Sequence, residues 1–181
     1  MDGRPWRAVP DRVVVSCGLA ADVELTRPLL RRLRAELRDA EALAAAGRVL
    51  RRRDVSRRAL EERLARAGVH AGPRGRAVMA LAEAGALDDH RLAERRAAAL
   101  AERGWGDAAI RARLEGEGLA SEHAETALAQ LPPESERAAR LVAGVHDPPK
   151  AWNLLARRGF DLETVTVAVT PLDEGAPSGL G

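Results

Sequence analysis

One segment recurs three times along the chain, and a repeat constrains a fold more tightly than composition, because each copy must bury the same face against the same kind of neighbour. Residues 56–69 (SRRALEERLARAGV) align without gaps with residues 106–119 (GDAAIRARLEGEGL), 50 positions on, and with residues 147–160 (DPPKAWNLLARRGF), 41 positions further. Leu60, Ile110 and Ala151 share one position, and Leu64, Leu114 and Leu155 share the position one helical turn later on the same face. Gly68, Gly118 and Gly159 then stand where a left-handed residue ends a helix, each followed by an apolar residue that can fold back on the last turn: Val69, Leu119 and Phe160. The register extends backward to Leu50, Leu100 and Leu141 and forward to Val78, Leu128 and Val169. Each copy therefore predicts helix, turn, helix, glycine, helix.

Capping residues agree with that reading. Ser56, Asp107 and Asp147 are placed to cap the second helix of each copy, with Pro148 in the first helical position of the third. Asp88 or Asp89 can open the first helix of the second copy, and Ser121 and Asp161 the third helices of copies two and three. The pattern predicts an all-α chain: an N-terminal extension over 1–38, three-helix units over 39–87, 88–131 and 132–169, and a disordered Gly- and Pro-rich tail over 170–181. Stacked units of this kind give an elongated, curved body.

Composition enters as support. The chain is 46% hydrophobic but 2% aromatic, so its core must be built of Leu, Val and Ala, which suits close-packed helices. The single cysteine, Cys17, removes a disulfide framework and a cysteine zinc site from consideration, and reads as a buried apolar thiol. No run approaches the ~20 apolar residues of a spanning helix, and no apolar block marks a signal peptide, so a cytoplasmic protein without membrane contact is expected. Asp88-Asp89-His90 is the one carboxylate and imidazole cluster, and its adjacent side chains diverge; helix capping explains it better than acid–base or metal chemistry. His70, His123 and His146 read as surface residues. Neither a phosphate-binding glycine loop nor a nucleophile elbow is present, so no enzyme activity, metal or cofactor is expected.

Charge breaks the symmetry of the copies. Residues 1–85 hold 18 Arg against 11 acids, whereas residues 86–181 hold 11 Lys plus Arg against 16 acids. Lys150 is the only lysine, and guanidinium forks suit phosphate and carboxylate recognition. The densest basic stretch is Arg51, Arg52 and Arg53 followed by Arg57 and Arg58, at the turn between the first two helices of unit one. Either these arginines solvate a helix end, or they contact DNA phosphate or an acidic protein surface. Arg95-Arg96 and Arg157-Arg158 are second-rank candidates, with one member of each pair expected to be consumed by local ion pairing. Trp105, between Gly104 and Gly106, can plug a gap between helices or stack on a base, and Trp152 is expected to cover the end of unit three.

Leu87-Asp88-Asp89, Arg91-Leu92-Ala93, Gly104-Trp105-Gly106, Ile110 with Leu114 and Gly118, and Arg157-Arg158-Gly159-Phe160 follow in an order that resembles the RecX family of recombinase regulators. Leu92 stands where that family usually has Phe, which keeps an apolar position. The resemblance spans residues 39–169. It implies an elongated all-α protein, a monomer, that binds the RecA recombinase filament on single-stranded DNA and inhibits ATP hydrolysis and strand exchange in DNA repair and the SOS response. A helical protein that binds single-stranded nucleic acid without a recombinase is the alternative, and a pure protein scaffold is a third.

The N-terminal extension is less regular. Residues 6–10 can form a short strand, residues 11–17 a brief helix stopped by Gly18, and Thr26 with Pro28 opens an amphipathic helix through Leu29, Leu30, Leu33 and Leu37. Asp2-Gly3 reads as a hairpin turn, which predicts an extra upstream strand in relatives or a start codon upstream of Met1.

Overall fold

A computed structural model describes residues 8–174, and these form ten α-helices with no strand among them. In chain order they are α1 (Asp11–Cys17), α2 (Arg27–Leu50), α3 (Arg57–Arg66), α4 (Ala71–Glu83), α5 (Asp89–Glu102), α6 (Asp107–Gly116), α7 (Ser121–Ala129), α8 (Glu134–Val142), α9 (Pro148–Arg157) and α10 (Leu162–Glu174). The chain divides into two compact units between Leu87 and Asp88.

In the first unit, Thr26 caps α2 by accepting from the Leu29 amide, with Pro28 in the first turn. Nothing between Leu29 and Ala46 interrupts a helix, so α2 runs unbroken for 24 residues. One stretch of its buried stripe, Leu33, Leu37 and Ala40, packs with Val13 and Cys17 of α1. Its last turns, through Ala46, pack with Leu60 and Leu64 of α3 and Val78 of α4. Residues 8–10 are irregular, not a strand. No other strand occurs among the described residues, and a lone strand without a pairing edge has no stability of its own. The rest of the expected strand and the Asp2-Gly3 turn lie outside the described residues.

The second unit repeats the same packing twice. Its first cluster joins α5, α6 and α7 through Leu92, Ala97, Ile110, Leu114 and Leu128, and its second joins α8, α9 and α10 through Ala138, Ala151, Leu155, Phe160 and Val169. Leu60, Ile110 and Ala151 are fully buried, as are their partners one turn on, so the shared register is the shared core. Gly68, Gly118 and Gly159 have φ of 80°, 82° and 75°, the left-handed region that disfavours a side chain. At each, the amide of the following residue bonds back into the last turn, Val69 to Leu64 O (3.0 Å), Leu119 to Leu114 O (3.1 Å) and Phe160 to Leu155 O (3.3 Å), so the glycine both ends the helix and aims the apolar residue inward. Leu92, the departure from the family's Phe, is buried in the core.

Caps fall as expected at Ser56, Asp88, Asp147 and Asp161, each accepting from the amide three residues on. Two do not. Gly106, not Asp107, is the N-cap of α6, because Asp107 is drawn to Arg137. Ala120 is the N-cap of α7, and the Ser121 hydroxyl donates instead to Glu115 at 2.8 Å. Helix α10 continues to Glu174, past the point where a tail was expected, and residues 175–181 lie outside the described residues. No helix among the described residues is long and apolar enough to cross a membrane.

Candidate functional site

The arginine-rich turn of the first unit sits where α2 ends and α3 begins. Arg51 is the C-terminal cap residue of α2, Arg52 and Arg53 lie in the turn, and Arg57 and Arg58 open α3; all five are exposed. Local helix geometry sets their roles. Arg58 Nε reaches Glu62 at 3.0 Å, an i,i+4 pair on an exposed face, worth about 0.3–0.5 kcal/mol. Arg52 and Arg53 instead border a depression of about 320 Å³ together with Arg48 and Arg63. Arg48 lies one helical turn before Arg52, and its i,i+4 spacing was visible in the sequence; Arg63 comes from the far end of α3, and only folding brings it there. Elsewhere in this unit two arginines are matched with acids across helices: Arg76 takes both oxygens of Asp39 (2.9 and 2.7 Å) and Arg74 reaches Glu61 at 3.3 Å.

The second-rank pairs, both in the second unit, are partly engaged. Arg96 pairs with Glu117 at 3.2 Å. Arg158 donates to the Arg103 carbonyl at 2.7 Å and lies over the Trp105 ring, 4.9 Å from its centroid. Arg95 and Arg157 are exposed.

Trp105 is held from two sides. The Arg113 guanidinium stacks 3.6 Å from its centroid and Arg158 approaches nearby, so two cations cover the ring that was open to a stacking role. Trp152, by contrast, stays 37% exposed beside Thr166 and Val169 of α10. Around Trp105 the motifs of the sequence converge on one joint between the second and third copies. The Gly106 amide donates to the Arg158 carbonyl at 2.9 Å. A β-carbon on Gly106 would fall inside van der Waals contact with the backbone of Gly159 and Phe160. Arg137 of α8, 6% exposed, lies beneath, donating to Pro132 O (3.0 Å) and Trp105 O (2.9 Å) and pairing with Asp107. Nothing in the local sequence pattern around Arg137 separates it from surface arginines, so its role emerges only in the fold.

Glu134 completes the joint. Its carboxylate accepts from the Asp107 amide (2.6 Å) and the Asp161 amide (3.4 Å). Burial raises the Glu134 carboxyl above its ordinary 4.5, reinforced by sharing a proton with Asp161. Asp161 is held down to about 2, first by that hydrogen bond from Glu134 and then by the Thr164 amide and hydroxyl. Of the two carboxyls, Glu134 is therefore the one that holds a proton more readily. A group with a raised folded pKa stabilises below its unfolded value and loses that contribution as pH rises through the folded one. Glu134→Gln, permanently neutral, is therefore expected to gain thermal stability relative to the parent as pH rises above the ordinary 4.5 of a glutamate. Paired melting curves across that range check this, and a constant difference would assign the shift to something other than Glu134.

His70 and His146 are not buried, and His123 is half-buried, its ring 6.5 Å from that of His90. His90 itself pairs with Glu94 at 3.1 Å. No group of three metal-ligating side chains occurs among the described residues.

Known proteins share this arrangement of sequence. No protein-family model matches the chain. It is 37% identical over 142 residues to the "Regulatory protein RecX" of Halorhodospira halophila, covering 72% of this chain and 87% of that protein. The chain belongs to the RecX family of regulatory proteins. A second RecX, from Chromohalobacter salexigens, is also 37% identical, over 131 residues, covering 67% of this chain and 86% of its own length. The fold agrees. A crystal structure of RecX from Lactobacillus salivarius superposes with a TM-score of 0.69 at 19% identity, over 76% of this chain and 97% of that one. A second crystal structure, of a regulatory protein RecX, gives 0.78 at 18% identity, over 93% and 91%. Two of the motifs that carry the RecX resemblance, Gly104 to Gly106 and Arg158 to Phe160, lie at the joint, and there they maintain architecture.

Proposed function

We propose that this RecX family member binds the RecA recombinase filament on single-stranded DNA and inhibits its ATPase and strand exchange by occupancy, without catalysis. The carrying observation is its 37% identity to curated RecX regulators over about two thirds of its length or more. The exposed arginines of the α2–α3 turn, Arg51, Arg52, Arg53, Arg57 and Arg58, supply the contact to DNA phosphate or to an acidic recombinase face, with Arg95, Arg96, Arg157 and Arg158 contributing less. It works in the cytoplasm as a monomer, with no cofactor.

The test is a titration of the recombinase ATPase on single-stranded DNA. Inhibition is expected far below the concentration that saturates free single-stranded DNA. Equal concentration dependence of the two would sink the recombinase reading and leave a nucleic-acid-coating protein. Reversing charge at Arg52, Arg53 and Arg58 is expected to weaken filament binding by about tenfold or more and to lower the slope of log affinity against log salt by about 0.7 for each phosphate no longer neutralised. A triple variant that inhibits like the parent removes this turn from the interface.

A further inference from the structure

Among the described residues of the first unit, four arginines line one depression at the end of α2 and α3. It is lined by Arg48, Arg52, Arg53 and Arg63 together with Ala45, Val49 and Leu64 and, at its exposed lip, Ala67, and no carboxylate lines it. A second depression in the same unit shows the ordinary arrangement, Arg12 and Arg76 balanced by Glu36 and Asp39. Arg63 Nη1 is sealed from water and has no hydrogen-bond acceptor. Its guanidinium is held below the usual arginine range, first by burial and then by the like charges of Arg53 and Arg66. The C-terminal turns of α2 and α3 attract cations, yet their dipoles amount to about half a charge each, against four guanidiniums.

We infer that this depression is a binding pocket for one phosphoryl group, held by Arg48, Arg52, Arg53 and Arg63. The lining offers no carboxylate and Arg63 Nη1 has no acceptor, so a ligand that brings both an acceptor and negative charge would satisfy both at once. A carboxylate is satisfied by a single bidentate arginine, as Asp39 is by Arg76 in this same unit. Four arginines lining one depression supply more charge and more donors than one carboxylate can match, and call for the additional oxygens and charge of a phosphate. The pocket extends the basic turn of the proposed filament interface and rests on that reading for its biological ligand. The phosphoryl group can belong to the backbone of a nucleic-acid strand or to its phosphorylated end.

The intact chain is titrated with inorganic phosphate at constant ionic strength, chloride making up the balance, with the melting temperature as readout. A saturable rise is expected for the parent and for Arg31→Met, an exposed arginine of α2 that carries the same charge change. Arg63→Met is expected to weaken the apparent affinity by about tenfold or more. Ala67→Glu, which places an acid at the exposed lip, is expected to abolish the response while the circular dichroism spectrum stays helical. Non-saturating behaviour, or equal titrations of Arg63→Met and Arg31→Met, overturns the pocket as general ion screening. With thymidine oligonucleotides, tighter binding of a 5′-phosphorylated strand assigns the pocket to strand ends. Equal binding of phosphorylated and unphosphorylated strands, weakened by Arg63→Met, assigns it to backbone phosphate, and binding indifferent to Arg63→Met rejects nucleic acid as the source. Saturable phosphate binding without any effect on a recombinase would discard the filament reading alone, whereas recombinase inhibition without phosphate binding would discard the pocket alone.

Discussion

Arg137→Met is expected to destabilise the second unit by about 3–5 kcal/mol, the usual result of removing one partner from a buried charge network. Methionine fills a similar volume, so the loss is polar and not a cavity. It strands the carbonyls of Pro132 and Trp105 and leaves the half-buried Asp107 carboxylate without its partner. Arg137→Lys should recover little, because one ammonium on a flexible stem cannot serve three acceptors that a planar fork meets at once. Arg140, nearly one turn further along α8, is exposed, and Arg140→Met should stay within about 0.5 kcal/mol of the parent. Urea unfolding of the full chain, with hydrogen exchange at the Gly106 amide, provides the measurement. If the 137 and 140 variants unfold alike, the guanidinium does not hold the joint.

Gly106→Ala is the second large effect, and its cause is purely steric. Gly106 has φ of −80° and ψ of 167°, backbone angles that any residue adopts, so no conformational strain is involved. The added methyl instead meets the carbonyl of Gly159 and the amide of Phe160, which are backbone atoms and cannot step aside as a side-chain tip would. Separating the two copies there also breaks the 2.9 Å bond from Gly106 to Arg158. A loss of about 3 kcal/mol is expected, at the upper end of overpacking costs. Gly116→Ala supplies the contrast. Gly116 lies in the last turn of α6, and a methyl added there would stand in open space, so the same substitution should stabilise by up to about 1 kcal/mol through helix propensity. Thermal melts of the two variants must therefore move in opposite directions; a drop for both would place the effect in the helix and not in the close approach of the two copies.

The core register was legible before folding. Leu60, Ile110 and Ala151, with Leu64, Leu114 and Leu155, were marked by a helical period and by a glycine at a fixed offset, both local properties of the chain. The four caps at Ser56, Asp88, Asp147 and Asp161 were legible for the same reason, since a cap acts within three residues. Asp107 and Ser121 departed from the pattern because each found a partner beyond that range or outside the helix: Arg137, 30 residues on, and Glu115, six residues back. The uninterrupted α2 is a milder case, in which two amphipathic stretches with different partners belong to one helix.

Sequence alone thus determined the helical class, the three-fold core register, the glycine stops and the excess of arginine in the first 85 residues, because each follows from periodicity, backbone sterics or counting. Only the tertiary structure decided which arginine does what. Arg137 is buried at a joint, Arg113 and Arg158 clasp Trp105, Arg76 is matched with Asp39, and Arg48, Arg52, Arg53 and Arg63 surround a depression without an acid. A guanidinium's role depends on the charges and acceptors within a few ångströms, and those come from residues far away in the chain, beyond what any local pattern encodes.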